Sequence, residues 1–171
     1  NYDYNNKYYL QGSVRRDGSS RFGPDNKYGN FYSLSLGWAL HNEDFFESDL
    51  FSQIKPRFSY GTLGNQLIGD HLFLARIGSG GQQLNYPFGE GVSQNVLVGA
   101  IATSLPTPDI QWEETATTNI GVDLGLLNNR IKATFDYFIS KTTDMLVSVP
   151  IPSSSGITSF PLTNGGNLEN K

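Results

Sequence analysis

The sequence predicts an all-β chain: an arc of about five antiparallel transmembrane strands from a large β-barrel, with long loops at one end. Three observations predict it. Stretches of about ten residues alternate large apolar with small polar side chains, the period of two that marks a strand with two unlike faces. Nine Tyr, eleven Phe and nineteen Gly accompany a mean hydropathy of only −0.34, the balance expected when every second residue of a membrane strand faces a polar lumen. The connections between the alternating stretches also sort by length. No apolar run approaches the ~20 residues that a membrane helix needs, which leaves a barrel open. A soluble β-sandwich, such as a carbohydrate-binding module, shares the composition and stands as the alternative.

From Tyr8, Leu10, Gly12 and Val14 lie on one face and Tyr9, Gln11, Ser13 and Arg15 on the other. Asp17 to Asn30, rich in Gly, Ser, Asp and Pro, reads as a loop. The second strand is the clearest: Tyr32, Leu34, Leu36, Trp38 and Leu40 against Ser33, Ser35, Gly37 and Ala39. Trp38, near its end, suits an aromatic girdle at a bilayer interface. His41 to Gln53 is a polar connection, with a short helical turn expected from Glu43 to Phe46. A third strand runs from about Ile54 to Thr62, where Pro56 implies a bulge or a strand end because it cannot donate to a ladder. A long irregular connection follows, about 63–111, with Val96-Leu97-Val98 as a local strand. The fourth strand, about Glu114 to Leu126, places Ala116, Thr118, Ile120, Val122 and Leu124 on one face. Leu127-Asn128-Asn129-Arg130 is a tight turn into the fifth, Ile131 to Ser140, which extends toward Val147. Pro150 to Lys171 reads as another loop.

In order the connections read medium, medium, very long, very short and long. If strands alternate in direction, the first, third and fifth share a side and are the long or irregular ones, while the second and fourth include the tightest turn. Outer-membrane barrels show that asymmetry, with short periplasmic turns and long extracellular loops. Trp38 and the turn at Leu127–Arg130 then point to the periplasm. Five strands cannot close, since the smallest bacterial barrels have about eight and lipid does not tolerate open sheet edges. Asn1 follows no Met, basic segment or apolar leader. The chain is therefore expected to be a piece of a longer one.

The remaining bulk properties exclude little. A net charge of −4 argues against a nucleic-acid partner. Without cysteine there is no disulfide framework or thiolate metal site. Glu113 and Glu114 are adjacent, and neighbours on a strand point to opposite faces, so they do not form an acid–base pair. His41 and His71 lack metal-ligand spacing and read as loop histidines. Gly78-Ser79-Gly80-Gly81 lacks the ending of a phosphate loop and reads as a flexible loop tip. Lys27 stands where a calcium loop needs an oxygen ligand. No catalytic residue, cofactor or metal site is expected. Arg15, Arg16, Asp17 and Arg21 form the densest charge cluster, read as a salt-bridged mouth or as a contact for a solute or lid. Arg57, Asn119, Asp123, Lys132 and Asp136 lie on polar strand faces, where they could touch a solute or plug. Phe73, Tyr86 and Phe88, in the long loop, could stack on a sugar or pack against a lid, with packing inside the loop the plainer reading.

An ordered set of stretches resembles one family. Val14 to Gly23 (VRRDGSSRFG), Asn26-Lys27-Tyr28-Gly29, Ser33 to Trp38, Arg57 to Asn65 (RFSYGTLGN), Trp112 to Thr115, Asn119 to Asp123, Leu126 to Arg130, Asp136-Tyr137 and Thr143 to Leu146 are collinear with SusC-like TonB-dependent transporters. Gly165 to Lys171 resembles the approach to a further strand. Two departures stand out: Pro56 falls where the family continues a strand, and 69–102 matches nothing in it. The resemblance implies a partial barrel domain over 1–171, with the plug and remaining strands elsewhere. It implies uptake of oligosaccharides or peptides powered through TonB, with a SusD-like surface lipoprotein as a lid.

Overall fold

In the computed structural model, residues 1–79, 85–88, 95–157 and 159–171 are described, with backbone alone at 85–88, 95, 96 and 153. Thirteen strands are found among them: β1 Tyr2–Tyr4, β2 Tyr8–Gly18, β3 Tyr28–Trp38, β4 Phe51–Asn65, β5 Arg76–Ser79, β6 Asn85–Phe88, β7 Asn95–Val98, β8 Ala100–Ser104, β9 Glu113–Leu126, β10 Ile131–Thr143, β11 Leu146–Ser148, β12 Leu162–Asn164 and β13 Leu168–Asn170. One open antiparallel sheet has the order β1-β2-β3-β4-β9-β10-β13. Its five long strands are the five expected. The short flanking strands β1 and β13 complete it, the latter where a further strand was anticipated.

Register shows why the alternation matters. Leu10 pairs with Leu36, Leu36 with Phe58, Phe58 with Ile120, and Ile120 with Tyr137. A single apolar row thus crosses all five long strands. The same ladders align Gln11, Ser35, Ser59, Asn119 and Phe138 on the opposite face. The wall covers neither face with a second sheet, and Leu34, Leu36, Ile120, Phe135 and Tyr137 remain exposed. Shifting any strand by one residue would put its apolar set on the polar face, so this pattern pins the register.

The ends are unlike. Turns at 5–7, 39–50 and 127–130 share one end; connections 19–27, 66–112 and 144–167 share the other. The turn at 5–7 adds a tight connection to the end that holds 127–130, and the two longest connections lie at the other end; 39–50 and 19–27 are of middling length and do not separate the ends. Asn5 and Asn6 take left-handed φ there, as do Leu127, Asn128 and Asn129 in the other tight turn, a conformation Asn accepts more readily than most residues.

Several boundaries differ from the sequence reading. β3 stops at Trp38, because Leu40–Asn42 turns into a 3-10 helix; the turn at Glu43–Phe46 follows it, closed by the Phe46 N–H donating to the Glu43 carbonyl at 3.0 Å. β4 continues through Asn65 rather than ending at Thr62. Pro56 sits inside β4, and the bulge lies instead between Phe51 and Gln53. The ladder to β3 stops at Arg57, next to Pro56, while the ladder to β9 runs through Pro56. Pro56 is thus a strand end on one side only. Below it His41 takes over: its Nδ1 lies 3.1 Å from the Ile54 carbonyl oxygen and 3.4 Å from the Ile54 nitrogen, so either ring tautomer finds a backbone partner.

The long connection is not irregular. β5 pairs with β8, and β6 with β7, as nested antiparallel pairs. Val96–Val98 is strand, as expected. Gly78 and Ser79 belong to β5 rather than to a loop tip, paired with Ile101 and Ala100 of β8, and the glycine leaves room for Thr103, which a side chain at Gly78 would meet; Gly80 and Gly81 lie outside the described residues. β10 ends at Thr143, and Leu146–Ser148 is a separate strand, β11, paired with β12 rather than a continuation of the fifth strand; 150–171 holds β12 and β13, so it is more than a loop.

Candidate functional site

The polar face carries one dense ion cluster. Arg57 on β4, Gly121 on β9 and Asp136 on β10 stand directly opposite one another. Arg57 Nη2 donates to Asp123 Oδ1 at 3.1 Å and to Asp136 Oδ1 at 3.2 Å. Its Nε lies 2.9 Å from Asp123 Oδ2, an ion pair without hydrogen-bond alignment. Thr134 Oγ1 donates to Asp123 Oδ1 at 3.0 Å. Arg57 and Asp136 are two strands apart and meet only because Gly121 lies between them: a Cβ there would collide with Asp136 Oδ1. Beside the cluster, Lys55 Nζ sits 4.0 Å from the centre of the Tyr9 ring. Asn119 shares this face, between Ser59 and Phe138.

The basic stretch at the long-connection end does not act as one cluster. Arg15 and Asp17 share the polar face and pair at 3.0 Å. Arg16 faces the other way, over the Tyr28 ring at 4.5 Å. Arg21 leaves the wall: its Nη1 donates to the Gln66 carbonyl at 3.1 Å and its Nε pairs with Asp70 at 3.1 Å. Alternation along β2 separates Arg16 from the Arg15–Asp17 pair, and the chain exit removes Arg21.

Arg21 belongs to a hub joining all three long connections. Phe22, Ile68 and Ile110 are buried together, with Leu72, Phe73, Trp112, Leu146 and Leu162 packed around them. Trp112 rests on Phe22 at 5.0 Å and edge-on to Phe31 at 5.6 Å. Phe31 itself lies over Gly64, where a side chain would occupy the ring's place. Asn164 ties the hub: its Nδ2 donates to the carbonyls of Gln111 (2.9 Å) and Asp144 (2.8 Å), and its Oδ1 accepts from the Gln111 N–H (2.8 Å). Glu113 accepts from Asn65 Nδ2 at 3.1 Å and from the Leu146 N–H at 2.9 Å. Phe73 is therefore used in packing within the connections. The side chains of Tyr86 and Phe88 lie outside the described residues. Beside the hub, a cleft of about 280 Å³ is lined by Leu72, Arg76, Thr103, Ser104, Phe160 and Leu162 among others.

At the short-turn end, Tyr8 stacks on Trp38 at 6.3 Å. Trp38 Nε1 donates to Glu43 Oε1 at 2.9 Å, and Lys7 Nζ reaches Glu43 Oε2 at 3.2 Å. Hydrogen bonds from the Tyr8 hydroxyl, Trp38 and Lys7 hold the Glu43 carboxyl below its ordinary pKa. The bond to Glu43 in turn holds the Lys7 ammonium above its own.

Among the described residues no group of His, Asp and Glu could hold a metal ion. Glu113 and Glu114 sit on successive strand positions and so on opposite faces. Arg57, Asp123 and Asp136 were each legible as polar-face residues; their meeting was not. The tight turn at Leu127–Arg130 fixes the β9–β10 hairpin and so sets Gly121 against Asp136, which is the signal that could have found it. The hub ties at Asn164 and Glu113 left no such signal.

The family model described as "TonB dependent receptor-like, beta-barrel" matches residues 1–171. The chain is 37% identical over 171 residues to TonB-dependent receptor P39 of Formosa agariphila, covering 99% of this chain and 15% of that protein. It is 37% identical over 175 residues to TonB-dependent receptor SusC of Bacteroides thetaiotaomicron, covering 99% of this chain and 17% of that protein. Among solved structures, it resembles the RagAB peptide transporter with a TM-score of 0.78 and 32% identity, over 95% of this chain and 17% of that one. The open-open state of the RagAB peptide importer gives a TM-score of 0.79 over 98% of this chain. The chain thus spans about a sixth of the length of the relatives it matches.

Proposed function

On the premise that this chain belongs to the TonB-dependent receptor-like β-barrel family, we propose that it is an arc of wall in an outer-membrane importer of oligosaccharides or peptides. Members of this family are outer-membrane barrels and transporters, not enzymes. The apolar face, Leu10–Leu36–Phe58–Ile120–Tyr137, meets lipid. The polar face, with Arg57, Asp123 and Asp136, meets the water-filled lumen. The long connections are extracellular and the short turns periplasmic. The RagAB peptide transporter supports a peptide as cargo, and the relatives named TonB-dependent receptors support drive from TonB. An oligosaccharide as the other cargo and a SusD-like lipoprotein over the extracellular end follow from the resemblance of the sequence motifs to SusC-like transporters. Arg15, Asp17, Arg57, Asn119 and Asp123 are positioned for solute or plug on the inner face, whereas Arg21 and Phe73 act by holding the loops in place.

The observation that carries this reading is the unbroken apolar row across five strands, exposed at Leu10, Leu36, Ile120 and Tyr137 and half-buried at Phe58. A soluble sandwich would cover it with a second sheet. In the full-length protein, Leu36→Arg is expected to cost about 2–4 kcal/mol if the residue sits near the bilayer midplane, seen as lost heat-modifiable mobility and reduced recovery in the membrane fraction. Wild-type folding and membrane recovery of that variant would refute the wall assignment.

A further inference from the structure

We propose that Arg16, Lys27 and Tyr28 form a site on the outer wall for the phosphorylated head group of an outer-leaflet lipid. The proposal rests on the membrane reading above and on its orientation. Arg16 shares a face with Val14 and Leu10, the face assigned to lipid, and stands opposite Asn30 on β3. A permanently charged guanidinium on that face needs either an interface or an anion. Height supplies the interface. From the Tyr8–Trp38 pair to the Gly18–Tyr28 pair, the strands rise about 33 Å at ~3.3 Å per residue, or about 25 Å of membrane height at a tilt of ~40°, the height of a barrel's apolar band. Tyr28 thus belongs to the upper aromatic girdle as Tyr8 and Trp38 belong to the lower.

Both cations gather on that ring: Arg16 at 4.5 Å from its centre and Lys27 Nζ at 5.7 Å. Among the described residues neither forms an ion pair. The nearest carboxylate along β2, Asp17, is on the other face and bound to Arg15. Asp25, on the preceding turn, pairs with neither. The contrast is Lys141, an outward cation at the same end of β10, which has Glu169 of β13 at 3.3 Å. The wall neutralises one outward cation internally and leaves two adjacent ones, held by one aromatic ring, for an anion from outside. A phosphate presented at the head-group level satisfies both, while the lipid chains cover the apolar row below.

The test uses the full-length protein in detergent, with diphosphorylated lipid A, the same lipid dephosphorylated, and inorganic phosphate as probes, and binding read by native mass spectrometry. Wild type is expected to prefer the phosphorylated lipid. At roughly fivefold per basic residue near an anionic surface, Arg16→Gln with Lys27→Gln should weaken that binding roughly 20–30-fold, while Lys141→Gln keeps it. Unchanged binding in the double variant overturns the site. Full competition by inorganic phosphate overturns the lipid as its ligand. Failure of wild type to insert into membranes at all would instead sink the wall assignment, and this site with it.

Discussion

At the scale of single residues, the cluster on the polar face depends on an absent side chain. Arg57 reaches Asp136 across a whole strand because Gly121 leaves the space open. Gly121→Ala is expected to push Asp136 away and cost about 1 kcal/mol, the upper range for a partly exposed ion pair, with the loss shrinking at high salt. Gly12 is the control. It lies on the other face, where an added Cβ would meet nothing closer than 3.9 Å, so Gly12→Ala should leave thermal unfolding of the full-length protein unchanged. Each residue's face was legible from alternation. That Gly121 would be the residue under the arginine was not, because register is a property of strand pairs and of the turns joining them.

At the scale of elements, β3 and β4 part company at Pro56, and a histidine replaces the missing ladder. His41→Ala should strip Ile54 of its partner at a cost of about 1 kcal/mol, seen as faster amide exchange in the peptide covering 51–58. The adjoining turn is held by Glu43 and Lys7, and the signs of its pH dependence follow. A carboxyl held low stabilises above its ordinary pKa and loses that contribution as pH falls through the lowered value. A lysine held high stabilises below its ordinary pKa and loses it as pH rises through the raised value. Proteolysis of 39–50 is therefore expected to be slowest between these limits, and Glu43→Gln should abolish the acid-side change. The five long strands were readable because nine or more residues of alternation outweigh local noise. β1 and β13 have three residues each, too few for a period of two to show. The nested pairs β5–β8 and β6–β7 were hidden by glycines and a proline at Pro87 that mimic loop composition.

At the scale of the whole molecule, the wall and the long connections separate cleanly. The Thr107 N–H donates to the Leu72 carbonyl at 2.9 Å, closing the neck of the ribbon that carries β5 to β8. Replacing 75–106 by a short Gly-Ser linker should leave barrel assembly intact by heat-modifiable mobility, since loop closure depends only weakly on length. Asn164→Leu should do the opposite. It strands the half-buried Gln111 N–H and carbonyl, and frees the exposed Asp144 carbonyl to water, at a total cost of about 1–3 kcal/mol, and limited proteolysis should then reach 144–167 far sooner, with the wall untouched. Hydrophobic pattern along the chain announced the wall; the hub assembles from single apolar residues up to about 140 positions apart, Phe22 to Leu162, which no local pattern records. Its consequence is mechanical. Three connections clamped at Phe22, Ile110 and Asn164 behave as one stiff plate rather than as three tethers, so a load applied to any of them is shared by all and delivered to the tops of β2, β4, β9 and β10 together.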